Sequence, residues 1–151
     1  MLIAGGRRRA RQRWTLDSVL TEPAFIDHRG SGLSEVDGGI EASFDREWQT
    51  WLEQKAVRLR ERDDLSAERE VVHTVLFERR MSARRAVRII RRSRSVRLTR
   101  TNGRPRWVLD AIASDDLTDE SVRHSIKFML TVADACKGDY DGFGAMVVLP
   151  E

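Results

Sequence analysis

From Phe44 onward, apolar residues recur at helical spacing. Phe44, Trp48, Trp51 and Leu52, continued by Ala56 and Leu59, alternate with Asp45, Arg46, Glu47, Gln49 and Glu53. This predicts an amphipathic helix that Ser43 caps and that reaches about Glu61. A lone helix must bury such a stripe, so Trp48 and Trp51 are expected in the core or against a second copy of the chain. A partner-binding anchor built on the two tryptophans is the competing reading.

Further along, the period changes. Val71–Phe77 is β-branched and apolar and predicts a strand. Ser82 is placed to cap a helix through about Arg92, with Ala83, Ala86, Val87 and Ile90 inward. Val96–Thr101 alternates as a half-buried strand, Val96 and Leu98 inward, Arg97 and Thr99 outward. Asn102-Gly103 predicts a hairpin turn, and Trp107–Ala113 the returning strand. Thr118 caps a helix opened by Asp119 and Glu120, whose inward stripe is Val122, Ile126, Met129, Val132, Ala133 and Cys136. Lys137 and a C-cap Gly138 end it, and Phe143–Leu149 is the last strand. Strand, helix, strand, strand, helix, strand describes an α+β ferredoxin-like βαββαβ sandwich, with four antiparallel strands, both helices on one face and an N-terminal helical extension.

The stretch before Phe44 carries no such pattern. Residues 1–13 are a basic arm, and residues 14–43, with Pro23, Gly30, Gly32, Gly38 and Gly39, read mostly as loop, with a short helix signal at Asp17–Leu20. The predicted organisation is a loop-rich, partly disordered extension over 1–43, the amphipathic helix over 44–66 and the sandwich over 67–151.

Charge sharpens this picture. The formal net charge of +3 hides blocks of +5 over residues 1–13, −8 over 14–78, +12 over 79–106 and −6 over 107–151. The two basic blocks contain no acid at all, and 24 of the 27 cations are arginine, which grips phosphate and carboxylate bidentately. A bias toward arginine codons accounts for much of the arginine, but not for the segregation. Arg84, Arg88, Arg91 and Arg92 fall on one helical face away from the apolar stripe, and Arg85, Arg97 and Arg100 extend it toward one positive surface. Three readings stand side by side: RNA backbone binding, docking on an acidic protein segment (this chain's own residues 14–78 included) and a solvated face.

At Arg69-Glu70-Val71-Val72-His73, and again at Gly138-Asp139-Tyr140-Asp141-Gly142-Phe143-Gly144, the sequence resembles the regulator of ribonuclease E activity B (RraB) family. The resemblance spans about residues 69–149; Phe143 stands where tryptophan is more usual, and the chain is basic where members are acidic. It implies a ferredoxin-like, non-catalytic domain that binds ribonuclease E, or another protein of RNA degradation, and lowers RNA cleavage. It points to Asp139, Tyr140, Asp141, Gly142, Phe143 and Gly144 as the partner-binding run. Local structure explains much of that run by itself: the glycines permit a sharp turn and a bulge, Tyr140 and Phe143 plug the sandwich edge, and Asp139 and Asp141 remain for contact.

Other chemistry is sparse. Cys136 is the only cysteine, and His28, His73 and His124 are scattered, so neither a disulfide nor a thiolate metal site is expected. Asp115, Asp116, Asp119 and Glu120 are explained by a helix N-terminus, and His73 by a partly buried strand position. Nothing pairs a nucleophile with a base, so no enzyme and no cofactor is expected. No apolar run reaches membrane length and the start is too short for a signal peptide, which makes the cytoplasm the expected location. The leading expectation is an inhibitor-like regulator of ribonuclease E acting by protein contact; a sequence-tolerant RNA-binding module and an immunity or antitoxin-type protein are the alternatives.

Overall fold

The computed structural model describes residues 33–151. The basic arm, the Asp17–Leu20 helix signal and the rest of residues 1–32 lie outside the described residues. Seven elements follow in order: α1 (Leu33–Arg60), β1 (Arg69–Phe77), α2 (Arg80–Ile90), β2 (Ser95–Arg100), β3 (Trp107–Asp115), α3 (Asp119–Ala135) and β4 (Asp139–Ala145). The strands form one antiparallel sheet in the order β2-β3-β1-β4, the arrangement the ferredoxin-like reading requires. Alternation along β1 sends Val71, His73, Val75 and Phe77 to the helix-covered face, where they share a core with Ala83, Ala86 and Ile90 of α2 and Ile126, Met129 and Ala133 of α3. On the other face, Thr74 donates to the Asp110 carboxylate at 3.0 Å across the β1–β3 ladder.

Helix α1 begins ten residues before Ser43, which lies inside it. Gly38 and Gly39 each cost a helix interior about 1 kcal/mol, but Ile40 and Phe44 pack against the core and hold those turns in place. The inward stripe also differs from expectation. Phe44, Trp48 and Trp51 face α3, whereas Leu52 and Leu59 are exposed. Past Trp51 the inward positions are taken by cations. Lys55 pairs with Asp119 at 2.7 Å, and that bond, helped by the Trp51 indole, holds the Asp119 carboxyl below the usual carboxylate range.

Three smaller expectations are corrected. Ser82 does not cap α2: Arg79, in extended conformation and without a side-chain bond, holds that position, and its carbonyl accepts from the Ala83 amide at 3.1 Å. Starting the helix earlier lets Ala83, Ala86 and Ile90 all reach the core. The hairpin expected at Asn102-Gly103 forms, but through a loop longer than the two residues this pair favours. The β2–β3 ladder ends at Arg100 opposite Trp107, and the Thr101 amide donates to the Arg106 carbonyl at 2.8 Å across a six-residue loop. A two-residue turn would put Pro105 in the ladder opposite Arg100, where it has no N–H to give.

The end of α3 is the third. Lys137, not Gly138, takes the left-handed conformation (φ 55°), and the amides of Lys137 and Gly138 donate back to Asp134 and Ala133 at 3.2 and 2.8 Å in a Schellman closure. Gly138 serves packing instead, because a Cβ there would stand 2.4 Å from Phe77 Cε1 and 2.9 Å from Val75 Cγ1, both fully buried side chains. Gly138→Ala is therefore expected to cost about 1–3 kcal/mol through overpacking, read as a lower denaturant midpoint. An unchanged midpoint would contradict this packing.

Candidate functional site

Chain turned by the Schellman closure enters β4 at once, so the strand runs over Asp139–Ala145 and not over the expected Phe143–Leu149. Residues beyond it leave the sheet, with Met146 and Leu149 exposed. Tyr140 and Phe143 are an odd number of residues apart, and a regular strand would point them to opposite faces. A β-bulge resolves this. Val75 pairs with Tyr140 and His73 with Phe143, so two residues of β4 oppose one of β1, and Gly142 takes φ +82°. Both rings thereby enter the core, each 8% exposed.

His73 sits between them. Its ring stacks on Phe143 at 5.0 Å and on Tyr140 at 5.8 Å, and its Nδ1 shares a buried 2.6 Å hydrogen bond with the Tyr140 hydroxyl. The two separated runs that carry the family resemblance thus meet at one place. Trp51 of α1 completes the cluster, its ring 5.8 Å from Phe143 and its Nε1–H donating to Asp119 Oδ1 at 3.1 Å.

With the aromatic members buried, Asp139 and Asp141 are what the closing run presents outward, since both are exposed. Asp139 lines a groove of about 560 Å³ between α1 and the start of β4, together with Asp45, Arg46, Glu47, Leu130 and Tyr140, and Asp141 is close enough for its charge to act on Glu47. Burial pushes the Glu47 carboxyl up, and the charges of Asp141 and Asp139 push it further against the pull of Arg46. Glu47 Oε2 lies 3.6 Å from where a Cβ on Gly142 would stand, so a side chain there would face the carboxylate. This groove concentrates negative potential on the β4 edge. Asp45 and Glu47 read from sequence as a solvated helix face, and only the docking of α1 beside β4 reveals their role.

The expected basic residues gather at the opposite edge. Arg84, Arg85 and Arg88 are exposed on α2, Arg91 and Arg92 are exposed at its C-terminal cap and the turn after it, and Arg97 and Arg100 are exposed on the edge strand β2. The two strand positions part company. Three residues separate them, so Arg100 lies on the helix-covered side opposite Trp107, while Arg97 lies on the other face opposite Asp110. Arg94 leaves the surface altogether. It is buried over the Phe128 ring at 4.4 Å, and burial pulls its guanidinium down to about 9. Three interstrand steps of about 4.8 Å separate the basic edge from the acidic one, which makes the domain electrostatically two-ended.

Sequence reasoning missed a buried ionic joint at the base of the sheet. Asp63 Oδ1 accepts from Arg69 Nη1 at 2.6 Å and from the Val148 amide at 2.8 Å, and its Oδ2 accepts from Arg58 Nη1 at 2.7 Å. Burial alone would raise the Asp63 carboxyl, but the bonds from Val148, Arg58 and Arg69 together hold it below the usual range. The joint ties the end of α1 to the start of β1 and to the tail after β4. Among the described residues no group of side chains is placed to hold a metal ion, and no helix is long and apolar enough to cross a membrane.

A small α+β domain with an acidic groove on one sheet edge and an arginine face on the other has the features of a binding module. A family model for regulators of ribonuclease activity B matches residues 58–145, more than half of the chain, and the protein belongs to that family. The match begins at Arg58, earlier than the resemblance at Arg69 indicates, and so takes in the Arg58–Asp63–Arg69 joint while leaving most of α1 outside it. No curated protein matches the chain.

Proposed function

We propose that the protein lowers the activity of a ribonuclease of the ribonuclease E type, or of an assembly containing one, by non-catalytic protein contact in the cytoplasm. Family membership supplies the ribonuclease. The observation that favours the β4 edge as the contact is the division of labour in the closing run. Tyr140 and Phe143 are buried in the core, and Asp139 and Asp141 are left outward, Asp139 in the groove with Glu47 and Asp141 near enough for its charge to act on that carboxyl. Such a surface suits a basic or amphipathic segment of the nuclease, with the acids steering encounter and the groove excluding water.

The test is a binding and cleavage assay with purified ribonuclease E stripped of RNA. Wild-type protein should bind the nuclease without RNA and slow its cleavage of a single-stranded substrate. Asp139→Lys with Asp141→Lys should weaken both by about tenfold or more, the equivalent of about 1.4 kcal/mol, with an unchanged melting temperature because both side chains are exposed. Full activity in that variant would remove the β4 edge from the account. Absence of any binding by the wild type would remove the nuclease itself.

A further inference from the structure

The arginine face holds a feature that charge alone does not supply. Trp107 is only partly buried, at the start of β3, and Arg80 lies over its ring at 5.8 Å. Arg100 is its register partner across the ladder. From this indole, Arg84, Arg88 and Arg91 continue along the outer side of α2, about one helical turn of 5.4 Å apart. All of these arginines are exposed, and among the described residues Arg84, Arg88, Arg91 and Arg100 have no ion-pair partner. The surface is therefore not neutralised by the acidic parts of the chain that the structure describes.

We propose that the α2–Trp107 face binds the backbone and bases of single-stranded RNA. The inference goes beyond the regulation of a nuclease and does not rest on the β4 edge. A row of cations tracking phosphates, with an aromatic ring and guanidinium planes on which bases stack, is the general arrangement for sequence-tolerant single-strand binding. An acidic protein segment would use the arginines equally well, but only a chain of bases supplies, at every residue, a flat face for the indole and the guanidinium planes to stack on, which favours RNA. The consequence is a domain that holds RNA on one edge while its other edge faces a protein.

The experiment uses the full-length chain and a fluorescent single-stranded RNA 12-mer of mixed sequence, without nuclease, across a salt series. Each phosphate contact contributes about −0.7 to the log–log salt slope. Replacing Arg84, Arg88 and Arg91 with glutamate should weaken binding at least tenfold and flatten the slope by about 2. Trp107→Leu, which keeps an apolar residue opposite Phe77 across the β1–β3 ladder, should weaken binding severalfold and leave the slope unchanged, because stacking releases no counterions. The same contact is read without substitution from the Trp107 indole N–H resonance of the wild type, which should shift when RNA is added. RNA affinity unaffected by the triple substitution would place binding elsewhere, on the arm of residues 1–13, and overturn the proposal. So would a poly-glutamate peptide that binds as tightly as RNA without moving the Trp107 resonance. Because nuclease is absent, neither result bears on the proposed protein contact.

Discussion

Asp63→Ala is expected to destabilise the protein by about 3–5 kcal/mol, the range for removing one partner from a buried ion pair. The Asp63 side chain is wholly buried, and the side chains of its partners Arg69 and Arg58 are 2% and 12% exposed. Losing the carboxylate leaves two largely desolvated guanidiniums without their counter-charge. It also loosens the tail, because Arg58 Nη2 donates to the Ala145 carbonyl at 2.8 Å and the Asp64 amide to Val148 at 2.7 Å from the same joint. The pH dependence has a definite sign. A carboxyl held below its ordinary value of 3.8 contributes stability that is present above that value and is lost as pH falls through the folded-state value beneath it. Denaturant melts of wild type and variant should therefore differ most at neutral pH and converge in acid. A small, pH-independent difference would contradict the joint.

Trp51→Ala should cost a comparable amount, about 3–5 kcal/mol, whereas Trp48→Ala should cost clearly less. From sequence the two tryptophans look equivalent; the structure separates them. Trp51 is 0% exposed, touches Phe143 and donates to Asp119, so its removal opens a cavity between α1, α3 and β4 and leaves Asp119 without the indole bond. Trp48 is half-buried, stacked on Phe44 at 5.9 Å under the Arg123 guanidinium at 4.6 Å, contacts that side chains left behind can partly replace. Chemical denaturation of the two single variants at several protein concentrations checks this. Equal losses, or a loss that vanishes with dilution of the wild type, would mean that the stripe is buried against a second copy instead.

Much of this fold was legible because its signals are local and agree with one another. The β-branched apolar run at Val71–Phe77, the alternation over Val96–Thr101, the Thr118 cap and the stripe from Val122 to Cys136 each needed only neighbouring residues, and the structure holds them with small boundary shifts. What stayed hidden depends on distant residues. Nothing near Gly38 and Gly39 announces a helix; the packing of Ile40 and Phe44 overrides their poor propensity. Within the mixed-charge stretch from Arg58 to Arg69, Asp63 looks like any solvated acid until the tail folds over it. The closing run showed its glycines, the bulge they permit and two rings that plug the sandwich edge, but not that both rings would stack on His73 of β1. For the same reason the acidic groove was invisible. Its acids, Asp45 with Glu47 on α1 and Asp139 at the start of β4, lie on elements that meet only in three dimensions.

Regulation of a ribonuclease by protein contact has one direct readout, a rate. It is the initial cleavage rate of ribonuclease E on a short single-stranded RNA, with substrate in large excess, measured as this protein is added. Under regulation by protein contact the rate falls and saturates as the protein reaches molar equivalence with the nuclease, at any substrate concentration. A rate that does not change, or one that falls only when the protein reaches equivalence with the RNA, would contradict it.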